Sequence, residues 1–385
     1  MKILIASDLH WPTINGVATF SRTLARGLAD RGHEVVVIAP SQIGQKYKEV
    51  DGNHTVYRTR SVPFPFYQNF RISINPQREV KKIIDEFEPD VIHIQMLMWI
   101  GQAAMKYGNR LGIPIVSTNH AMPENLMDNL RLLAPVARPI NYMLKEYGRR
   151  FHSKSDCVTM PTQSAIDMFD VEMPNPMLAI SNGIDLSRFK PGRVPKKLYK
   201  KYKIPEKRQI ITYVGRLDAE KHLQVLVRAF ARVKKNHDAH LVIVGDGTDR
   251  DNLVELVREL KLVKRTTFTG RVSDEDLTLL HRIGSVFAMP SPAELQSIAT
   301  LEAMASGKPV VAVDAGALKE LCQDGVNGVL CEQDNVEQMA NGIAAILGDE
   351  TLAKQYSEQS LVIAQTHDLE YTLDRFEEVY RDLMK

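Results

Sequence analysis

Residues 289–310 read Met-Pro-Ser-Pro-Ala-Glu-Leu-Gln-Ser-Ile-Ala-Thr-Leu-Glu-Ala-Met-Ala-Ser-Gly-Lys-Pro-Val, directly after an apolar strand at 285–289. A strand, a turn and a helix in this order place the helix N-terminus at the carboxyl edge of a parallel sheet, where open α/β folds bind ligands. Glu294 lies in the turn, and Glu302 lies roughly a turn and a half into the helix. The two carboxylates could therefore hold two hydroxyl-bearing groups of one extended ligand. The alternative is an acidic loop residue and a helix-surface glutamate that share no ligand.

The composition is that of an ordinary globular protein. The chain has 385 residues, of which 44% are hydrophobic and 25% are charged, and its net charge is +2. This length predicts roughly one to three domains. The small net charge gives the whole molecule no strong attraction to nucleic acid, so no nucleic-acid partner is predicted. The three cysteines, Cys157, Cys322 and Cys331, lack metal-ligand spacing and indicate buried thiols in a reducing compartment.

Neither a signal peptide nor a membrane-spanning run is apparent in the sequence. The N-terminal strand at 1–6 meets Asp8 and His10 at once, without the long apolar run and small-residue cleavage site of a leader. No run of about 18 apolar residues occurs. We expect a cytoplasmic protein that associates with the inner face of the cytoplasmic membrane at most peripherally.

Strands and helices alternate through the chain in two successive sets. The first set opens with a strand at 1–6 and a helix at 17–31, and the second begins near Gln209. Continuous apolar strands separated by helices predict parallel sheets that are covered on both faces. The chain is therefore predicted to be α/β, with two Rossmann-like domains and a boundary near 191–205. Residues 193–208 carry eight basic residues and one acidic residue, which a solvated helix face explains.

A glycine follows the first strand at the point where a phosphate could approach the backbone. Gly16 stands between this strand and the first helix, whose N-terminal amides can bind an anion. The alternative is that Asn15-Gly16 forms only a turn. The three-glycine dinucleotide fingerprint is absent, which argues against an NAD-binding domain.

A second candidate anion site follows the first strand of the second set. Gly215 and Arg216 begin this loop, and Lys221 stands five residues after the arginine. Two cations at a sheet edge can clamp a diphosphate, and they can neutralise the charge that develops as a phosphate leaves. The alternative is that both are surface residues, with Lys221 paired to Asp218 or Glu220.

Other residues at predicted strand ends are candidates for base binding and catalysis. Gly270 and Val272 follow a short strand, where backbone groups could bind a flat base. His120 ends a strand of the first domain, whereas His93 lies inside an apolar strand and is more typical of a core histidine. No pair of histidines or carboxylates has metal-ligand spacing, so neither a bound metal nor another cofactor is predicted.

Several motifs occur in an order that resembles the family 4 glycosyltransferases, which are retaining enzymes of the GT-B fold. They are Asn182-Gly-Ile-Asp-Leu-Ser-Arg-Phe, Val214-Gly-Arg-Leu-Asp-Ala-Glu-Lys, Gly245-Asp-Gly and the stretch from Glu294 to Glu302. The resemblance covers almost the whole chain and implies two facing Rossmann-like domains without a catalytic metal. Residues 1–190, joined by the final helix at 369–385, would bind the acceptor. Residues 191–368 would bind the nucleotide-sugar donor.

The resemblance also implies roles for the charged residues of the second domain. Glu294 resembles the glutamate that contacts the hydroxyls of the donor sugar, and Glu302 resembles the one that holds the ribose. Arg216 and Lys221 resemble the clamp on the diphosphate. The leaving phosphate is inferred to accept the acceptor proton in this family, and no side chain of this sequence is an obvious covalent nucleophile.

Gly16 is similar to the family's backbone contact to the distal phosphate, and His120 to its histidine near the reaction centre. An aromatic residue and a glycine often stand between the two glutamates of the family. This sequence has Gln296 and Ser297 there, so the amides of Ser297 and Ile298 are the expected donor contacts. The substitution puts the local backbone geometry in doubt and could tune which sugar is accepted.

Two features favour a lipid acceptor. Residues 131–154 hold six basic residues and one acidic residue among apolar ones, as in helices that lie on anionic membranes. The alternative is that the apolar face packs on the domain. The aromatic loop at 63–72 resembles the corresponding region of bacterial enzymes that glycosylate diacylglycerol or phosphatidylinositol. Tyr67 and Arg71 are therefore candidates for acceptor binding.

The sequence thus predicts a retaining, metal-independent hexosyltransferase. The expected donor is a nucleotide diphosphate sugar, with UDP-glucose favoured, and the expected acceptor is a membrane lipid such as diacylglycerol. Alternatives are a soluble sugar or polysaccharide acceptor and GDP-mannose as the donor. An interpretation of a different class is a nucleotide-sugar-binding protein without catalytic activity.

Overall fold

The computed structural model describes residues 1–13, 15–64, 70–120 and 137–385, without the side chains of 137–139 and 141. Two compact units make up the described chain. The first comprises Glu370–Lys385 together with the described residues up to Asn182, and the second comprises Gly183–Leu369.

Sequence analysis places the domain boundary after residue 190, whereas the second unit begins at Gly183. The backbone of Ile184 explains this position. Its N–H donates to the carbonyl of His367 at 2.8 Å, and its carbonyl accepts from the N–H of Leu369 at 3.0 Å. The turn at 182–186 is therefore tied to the second unit.

The first unit is built on a sheet of eight strands with a separate two-stranded hairpin. Its strands are β1 (Lys2–Ala6), β2 (Glu34–Pro40), β3 (Tyr47–Asp51), β4 (His54–Thr59), β5 (Ser61–Pro63), β6 (Arg71–Ser73), β7 (Val91–Ile94), β8 (Ile115–Thr118), β9 (Cys157–Met160) and β10 (Met177–Ala179). The order across the large sheet is β10-β9-β8-β7-β1-β2-β4-β3, and β5 pairs with β6. Neighbours are parallel except for β3, which runs antiparallel to β4.

Helices cover the apolar strands of this sheet. They are α1 (Gly16–Asp30), α2 (Gln77–Phe87), α3 (Trp99–Leu111), α4 (Ala137–His152) and α5 (Gln163–Phe169). The strands β1 and β7 to β9 are buried almost throughout, as their continuous apolar sequence predicts. The strands β3 and β4 were not predicted from the sequence, because both are rich in polar residues.

The second unit is built on six parallel strands. They are β11 (Gln209–Val214), β12 (Ala239–Val244), β13 (Thr266–Gly270), β14 (Val286–Met289), β15 (Val310–Val313) and β16 (Gly328–Cys331). Their order is β13-β12-β11-β14-β15-β16. The order reverses at β11, and such a switch point is where open α/β sheets bind ligands.

The first helix of the second unit lies within the basic run at 193–208. The helices of this unit are α6 (Lys196–Tyr202), α7 (Leu223–Val233), α8 (Arg250–Glu259), α9 (Asp274–Ile283), α10 (Ile298–Ala305), α11 (Leu318–Leu321), α12 (Val336–Gly348) and α13 (Glu350–Gln365). In α6 the buried residue is Leu198, so the basic run does form a solvated helix face. Among the described helices, none is long and apolar enough to cross a bilayer.

The final helix, α14 (Leu369–Leu383), belongs to the first unit from Glu370 onward. Its buried face includes Phe376 and Tyr380, and the Tyr380 hydroxyl lies 2.6 Å from Nδ1 of His93. The other ring nitrogen of His93 lies 2.6 Å from the hydroxyl of Thr118. His93 is therefore a fully satisfied core histidine, as predicted.

Candidate functional site

Two loops of the second unit emerge side by side because β11 and β14 are parallel neighbours. The loop after β11 carries Arg216 and Lys221, and the loop after β14 carries Glu294. The sequence alone does not show that these loops are neighbours, since they are more than 70 residues apart. The sheet order brings the predicted cations and the predicted sugar-binding carboxylate to one edge.

Lys221 and Glu294 form a direct ion pair. Nζ of the lysine lies 2.8 Å from Oε1 of the glutamate, and the side chains are only 12% and 14% exposed. Glu220 approaches the same Nζ at 3.8 Å. The sequence suggested Asp218 or Glu220 as an alternative partner of Lys221. The structure confirms Glu220 as a partner and shows Glu294 as a second, nearer one.

Arg216 is also balanced by carboxylates. Its guanidinium forms ion pairs with Asp218 and with Glu220, which lie on the same short loop. Asp218 in turn accepts hydrogen bonds from the backbone N–H and the hydroxyl of Thr248, at 3.0 and 2.9 Å. The loop is therefore a network of alternating charges in which both predicted clamp cations already have acidic partners.

A buried tyrosine supports the start of this loop. The Tyr213 hydroxyl donates to the carbonyl of Arg216 at 2.9 Å. Burial, and then the nearby negative charge of Glu294, raise the pKa of Tyr213 well above its usual value. A Cβ added to Gly215 would lie 2.6 Å from this hydroxyl, at a φ of +156°. Glycine is thus required where the loop leaves the strand.

The position of Glu294 is fixed by a second glycine. The N–H of Ala317 donates to the Glu294 carbonyl at 2.9 Å, which ties the two loops together. Gly316 has a φ of +57°, and a Cβ there would lie 2.5 Å from the same carbonyl oxygen. Gly316 therefore permits a close approach that no other residue would allow without displacing Glu294.

Ser297 and Gln296 stand where the resembling family has other residues, and both have structural partners. Ser297 is the N-cap of α10, and its Oγ accepts from the N–H and the hydroxyl of Thr300 at 3.3 and 2.8 Å. Gln296 is buried, with Nε2 3.5 Å from Nδ1 of His367. The serine hydroxyl is occupied by capping, and Ile298 begins the helix.

Glu302 lies in the second turn of α10 and is nearly buried. Its Oε2 is 2.9 Å from Nε2 of His281, a fully buried residue of α9. Sequence analysis missed His281, because nothing in the spacing of two residues on different helices indicates that they touch. The structure thus places the predicted ribose-binding carboxylate beside a histidine partner.

The predicted base-binding residues lie at the ends of the neighbouring strands. The N–H of Gly245 donates to the carbonyl of Gly270 at 3.1 Å, which joins the loops after β12 and β13. Val272 is half-buried and packs against the core of the second unit. Gly270 and Val272 therefore lie at the same sheet edge as the charged loops.

His120 follows β8 in the first unit and is held by two neighbours. Its Nε2 lies 2.7 Å from Oε1 of Gln95, and its ring centroid lies 5.2 Å from that of Phe20. Burial, and then the neighbouring His152, lower the pKa of His120 to about 3. With Gln95 Oε1 accepting, the proton resides on Nε2 and Nδ1 is left as an acceptor.

Gly16 is the first residue of α1, as the phosphate-contact prediction requires. Asn15 caps this helix, and its Oδ1 accepts from the N–H of Ala18 at 2.8 Å. Phe20 lies one turn further along α1 and contacts His120. The structure therefore brings the N-terminus of α1 and His120 to the same part of the first unit.

The acceptor candidates are only partly described. Tyr67 lies outside the described residues. Arg71 belongs to β6, and its guanidinium donates to Oγ and to the carbonyl of Ser61, at 3.0 and 3.3 Å. These bonds hold Arg71 in the hairpin with β5.

The basic segment at 131–154 is described from residue 137, where α4 begins. Phe151 is buried in the core of the first unit, whereas Tyr142 and Met143 are 73% and 68% exposed. Arg149 and Arg150 both pair with Glu146, at 2.6 and 2.7 Å. Part of the apolar face thus packs on the unit, and another part remains open to solvent.

Three possible metal ligands meet in the first unit, although they are distant in sequence. Ligand atoms of His10, Asp51 and His54 all lie within 4.8 Å of one another. Burial opposes ionisation of Asp51, but hydrogen bonds from Arg22 and Arg26 hold its pKa below its usual value. The guanidinium groups already occupy this carboxylate and would repel a cation, so the cluster gives no support for a metal site. The absence of a metal stays a prediction.

Comparison with known families gives matches along most of the chain. Residues 14–188 match the family described as Glycosyltransferase Family 4, and residues 196–361 match the family described as Glycosyl transferases group 1.

Three relatives illustrate the range of similar proteins. An uncharacterised glycosyltransferase of Methanocaldococcus jannaschii is 30% identical, over 91% of this chain and 90% of the relative. An alpha-monoglucosyldiacylglycerol synthase of Streptococcus pneumoniae is 28% identical, over 86% of this chain and 75% of the relative. A GDP-mannose-dependent alpha-mannosyltransferase of Mycolicibacterium smegmatis is 29% identical, over 88% of this chain and 86% of the relative.

Solved structures share the fold at lower identity. Sucrose-phosphate synthase of Thermosynechococcus elongatus superposes with a TM-score of 0.81 at 20% identity, covering 99% of this chain and 98% of that one. Anabaena HepE in complex with UDP-glucose gives a TM-score of 0.76 at 22% identity, covering 99% of this chain and 100% of that one.

Proposed function

Because this chain belongs to the family 4 glycosyltransferases and has their GT-B fold, we propose that it transfers a hexose from a nucleotide diphosphate sugar to a lipid hydroxyl. The anomeric configuration is retained, and no metal is needed. The observation that carries the donor half of this proposal is the charged cluster of Arg216, Glu220, Lys221 and Glu294. The relatives include both glucosyl- and mannosyltransferases, so the donor sugar is part of the proposal.

The diphosphate binds where the clamp cations now meet carboxylates. Arg216 can offer a planar fork to phosphate oxygens, and Lys221 a single mobile ammonium group. A bound diphosphate replaces Glu294 as the partner of Lys221, and Glu294 then accepts hydrogen bonds from sugar hydroxyls. The same cations stabilise the negative charge on the leaving diphosphate, which is the principal electrostatic task in this reaction.

The other parts of the donor contact neighbouring backbone and side chains. Glu302 holds the ribose hydroxyls, and the first amides of α10 at Ser297 and Ile298 approach the donor. Gly270 and Val272 border the base. These assignments are supported by the common sheet edge on which the loops lie.

The first unit contributes Gly16 and His120. The N-terminus of α1 offers backbone N–H groups to the distal phosphate. His120 is neutral, because its pKa is lowered to about 3 by burial and by the neighbouring His152. It therefore acts through hydrogen bonding near the sugar rather than as an imidazolium acid. The leaving phosphate takes the proton of the acceptor hydroxyl as the new glycosidic bond forms.

The proposed acceptor is a membrane lipid such as diacylglycerol. Support comes from α4, where the exposed Tyr142 and Met143 lie among basic residues. An apolar patch beside cations can enter the head-group region of an anionic leaflet. A glycolipid synthase among the relatives agrees with this acceptor class.

GDP-mannose as the donor is the second candidate, which a mannosyltransferase among the relatives supports, and a soluble sugar or polysaccharide acceptor is a separate alternative. A thermal-shift panel of UDP- and GDP-sugars separates the donors, because a ligand that binds only the folded state raises Tm. We expect UDP-glucose to give the largest shift. A larger shift with GDP-mannose would favour the second candidate, and no shift with any nucleotide sugar would contradict the proposed function.

A further inference from the structure

A buried histidine and a carboxylate form a hydrogen-bonded pair in the second unit. Nε2 of His281 lies 2.9 Å from Oε2 of Glu302, and the two residues are 0% and 8% exposed. A carboxylate oxygen only accepts, so the imidazole must carry its proton on Nε2. The contact joins α9 to α10 at the predicted ribose-binding carboxylate.

Aromatic side chains restrict the imidazole. Its ring centroid lies 5.8 Å from that of Phe189 and 6.0 Å from that of Phe287. Nδ1 is buried and has no hydrogen-bond partner among the described residues. A buried polar atom without a partner is costly, so an apolar residue would pack more favourably here. The hydrogen bond to Glu302 is the polar interaction that a histidine provides at this position.

The geometry points to His281 as a positioning residue that fixes the Glu302 carboxylate for ribose recognition. This inference rests on the proposed function, in which Glu302 holds the ribose. With Oε2 engaged by Nε2, the orientation of the carboxylate is set and Oε1 is presented to the ribose hydroxyls. A carboxylate that is oriented before binding loses less side-chain entropy when the ligand arrives.

The inference predicts a loss of ribose discrimination rather than a general loss of binding. The probes are UDP and GDP, each compared with its 2′-deoxy and 3′-deoxy forms by titration calorimetry on the full chain. In wild type, we expect the ribonucleotide to bind about tenfold more tightly than a deoxy form, which corresponds to about 1.4 kcal/mol. In His281→Phe, the ribonucleotide should bind about tenfold more weakly and the deoxy forms should lose less affinity, so the ratio between their affinities should fall.

Two amide variants keep the test informative if the Phe variant does not fold. His281→Gln reaches about as far as Nε2 and should preserve discrimination, whereas the shorter His281→Asn should lose it. Leu280→Ala is the matched control, since Leu280 is fully buried on the same helix. It should lower Tm without changing discrimination.

The outcomes separate the inference from the function on which it rests. If wild type discriminates between ribose and deoxyribose and both His281→Phe and His281→Asn do so equally well, His281 has no positioning role and the proposed function stands. If wild type binds neither UDP nor GDP, the donor assignment fails and the inference fails with it.

Discussion

Nζ of Lys221 lies 2.8 Å from Oε1 of Glu294, so the residues expected to hold the diphosphate and the sugar are paired with each other. Both side chains are largely buried, at 12% and 14% exposure. A largely buried ion pair of this kind keeps two costly charges compensated until a ligand offers each a new partner. Under the proposed function, donor binding is an exchange of partners at this ion pair.

This exchange predicts different effects for the two members of the pair. Lys221→Ala removes the diphosphate contact and leaves Glu294 without its main cation, so kcat/KM should fall by roughly 100-fold or more. Glu294→Gln keeps the shape and can still hydrogen-bond, so its loss should be smaller. Steady-state kinetics of both variants test this order. Equal activity of Lys221→Ala and wild type would contradict the partner exchange.

Arg216→Ala is expected to abolish transfer while leaving the fold intact. Its guanidinium pairs with Asp218 and with the buried Glu220, and Glu220 keeps Lys221 Nζ at 3.8 Å when the arginine is removed, so the loop retains a compensating cation. Arg216→Lys should recover only part of the activity, because an ammonium group cannot bind phosphate through a planar fork. Arg232→Ala, at an exposed arginine paired with Glu337, is the control. Near-normal turnover of Arg216→Ala would remove the clamp assignment.

Gly316→Ala should damage both stability and transfer. The new Cβ would lie 2.5 Å from the carbonyl oxygen of Glu294 and would displace this loop. Gly325→Ala is a matched control, because its φ is +72° and a Cβ there meets nothing within 4 Å. The control should lose about 1–2 kcal/mol of stability from backbone strain alone and keep its activity. Denaturant unfolding and kinetics compare the two, and equal activities would disprove the packing argument.

Acidification is expected to destabilise the fold through buried histidines. Burial lowers the pKa of His93 and of His120 to about 3 each, well below the value of 6.5 for an unperturbed histidine. Between pH 6.5 and pH 3 these histidines are protonated in the unfolded chain but neutral in the folded chain. The free energy of unfolding therefore falls as pH decreases toward 3. His120→Asn removes one such group, and its Tm should decline less between pH 7 and pH 5. Equal declines in the variant and wild type would contradict this linkage.

The exposed part of α4 should determine membrane binding. Replacing Tyr142 and Met143 with serine should weaken co-sedimentation with phosphatidylglycerol vesicles several-fold, because less apolar surface enters the head-group region. Binding by wild type should also weaken as salt is raised. Tyr371→Ser is the control, since Tyr371 is 57% exposed on α14. If the double variant binds as wild type does, α4 has no role in membrane contact.

Sequence periodicity predicted the long elements, because continuous apolar strands and amphipathic helices depend on local pattern. It did not predict β3 and β4, although Asp51-Gly-Asn is a recognisable hairpin signal between them. Polar residues make up most of both strands and stand next to one another, so neither a continuous apolar run nor a regular alternation indicates a strand.

The order of motifs indicated candidate site residues, but not the contacts among them. The pairing of Lys221 with Glu294 depends on the adjacency of β11 and β14, and the contact of His281 with Glu302 depends on how two helices pack. The cluster of His10, Asp51 and His54 also depends on tertiary structure. Such contacts follow from the sheet order and from the packing of helices, which a single sequence does not show.

The most direct test of the proposed transfer is product analysis with the full chain, UDP-glucose and vesicles that contain diacylglycerol and phosphatidylglycerol. NMR of the extracted lipid reports both the product and its anomeric configuration. The account predicts a glucosyl lipid with the α-configuration of the donor, formed by wild type and absent with Arg216→Ala. A β-linked product, or no glycolipid with either UDP-glucose or GDP-mannose, would contradict it.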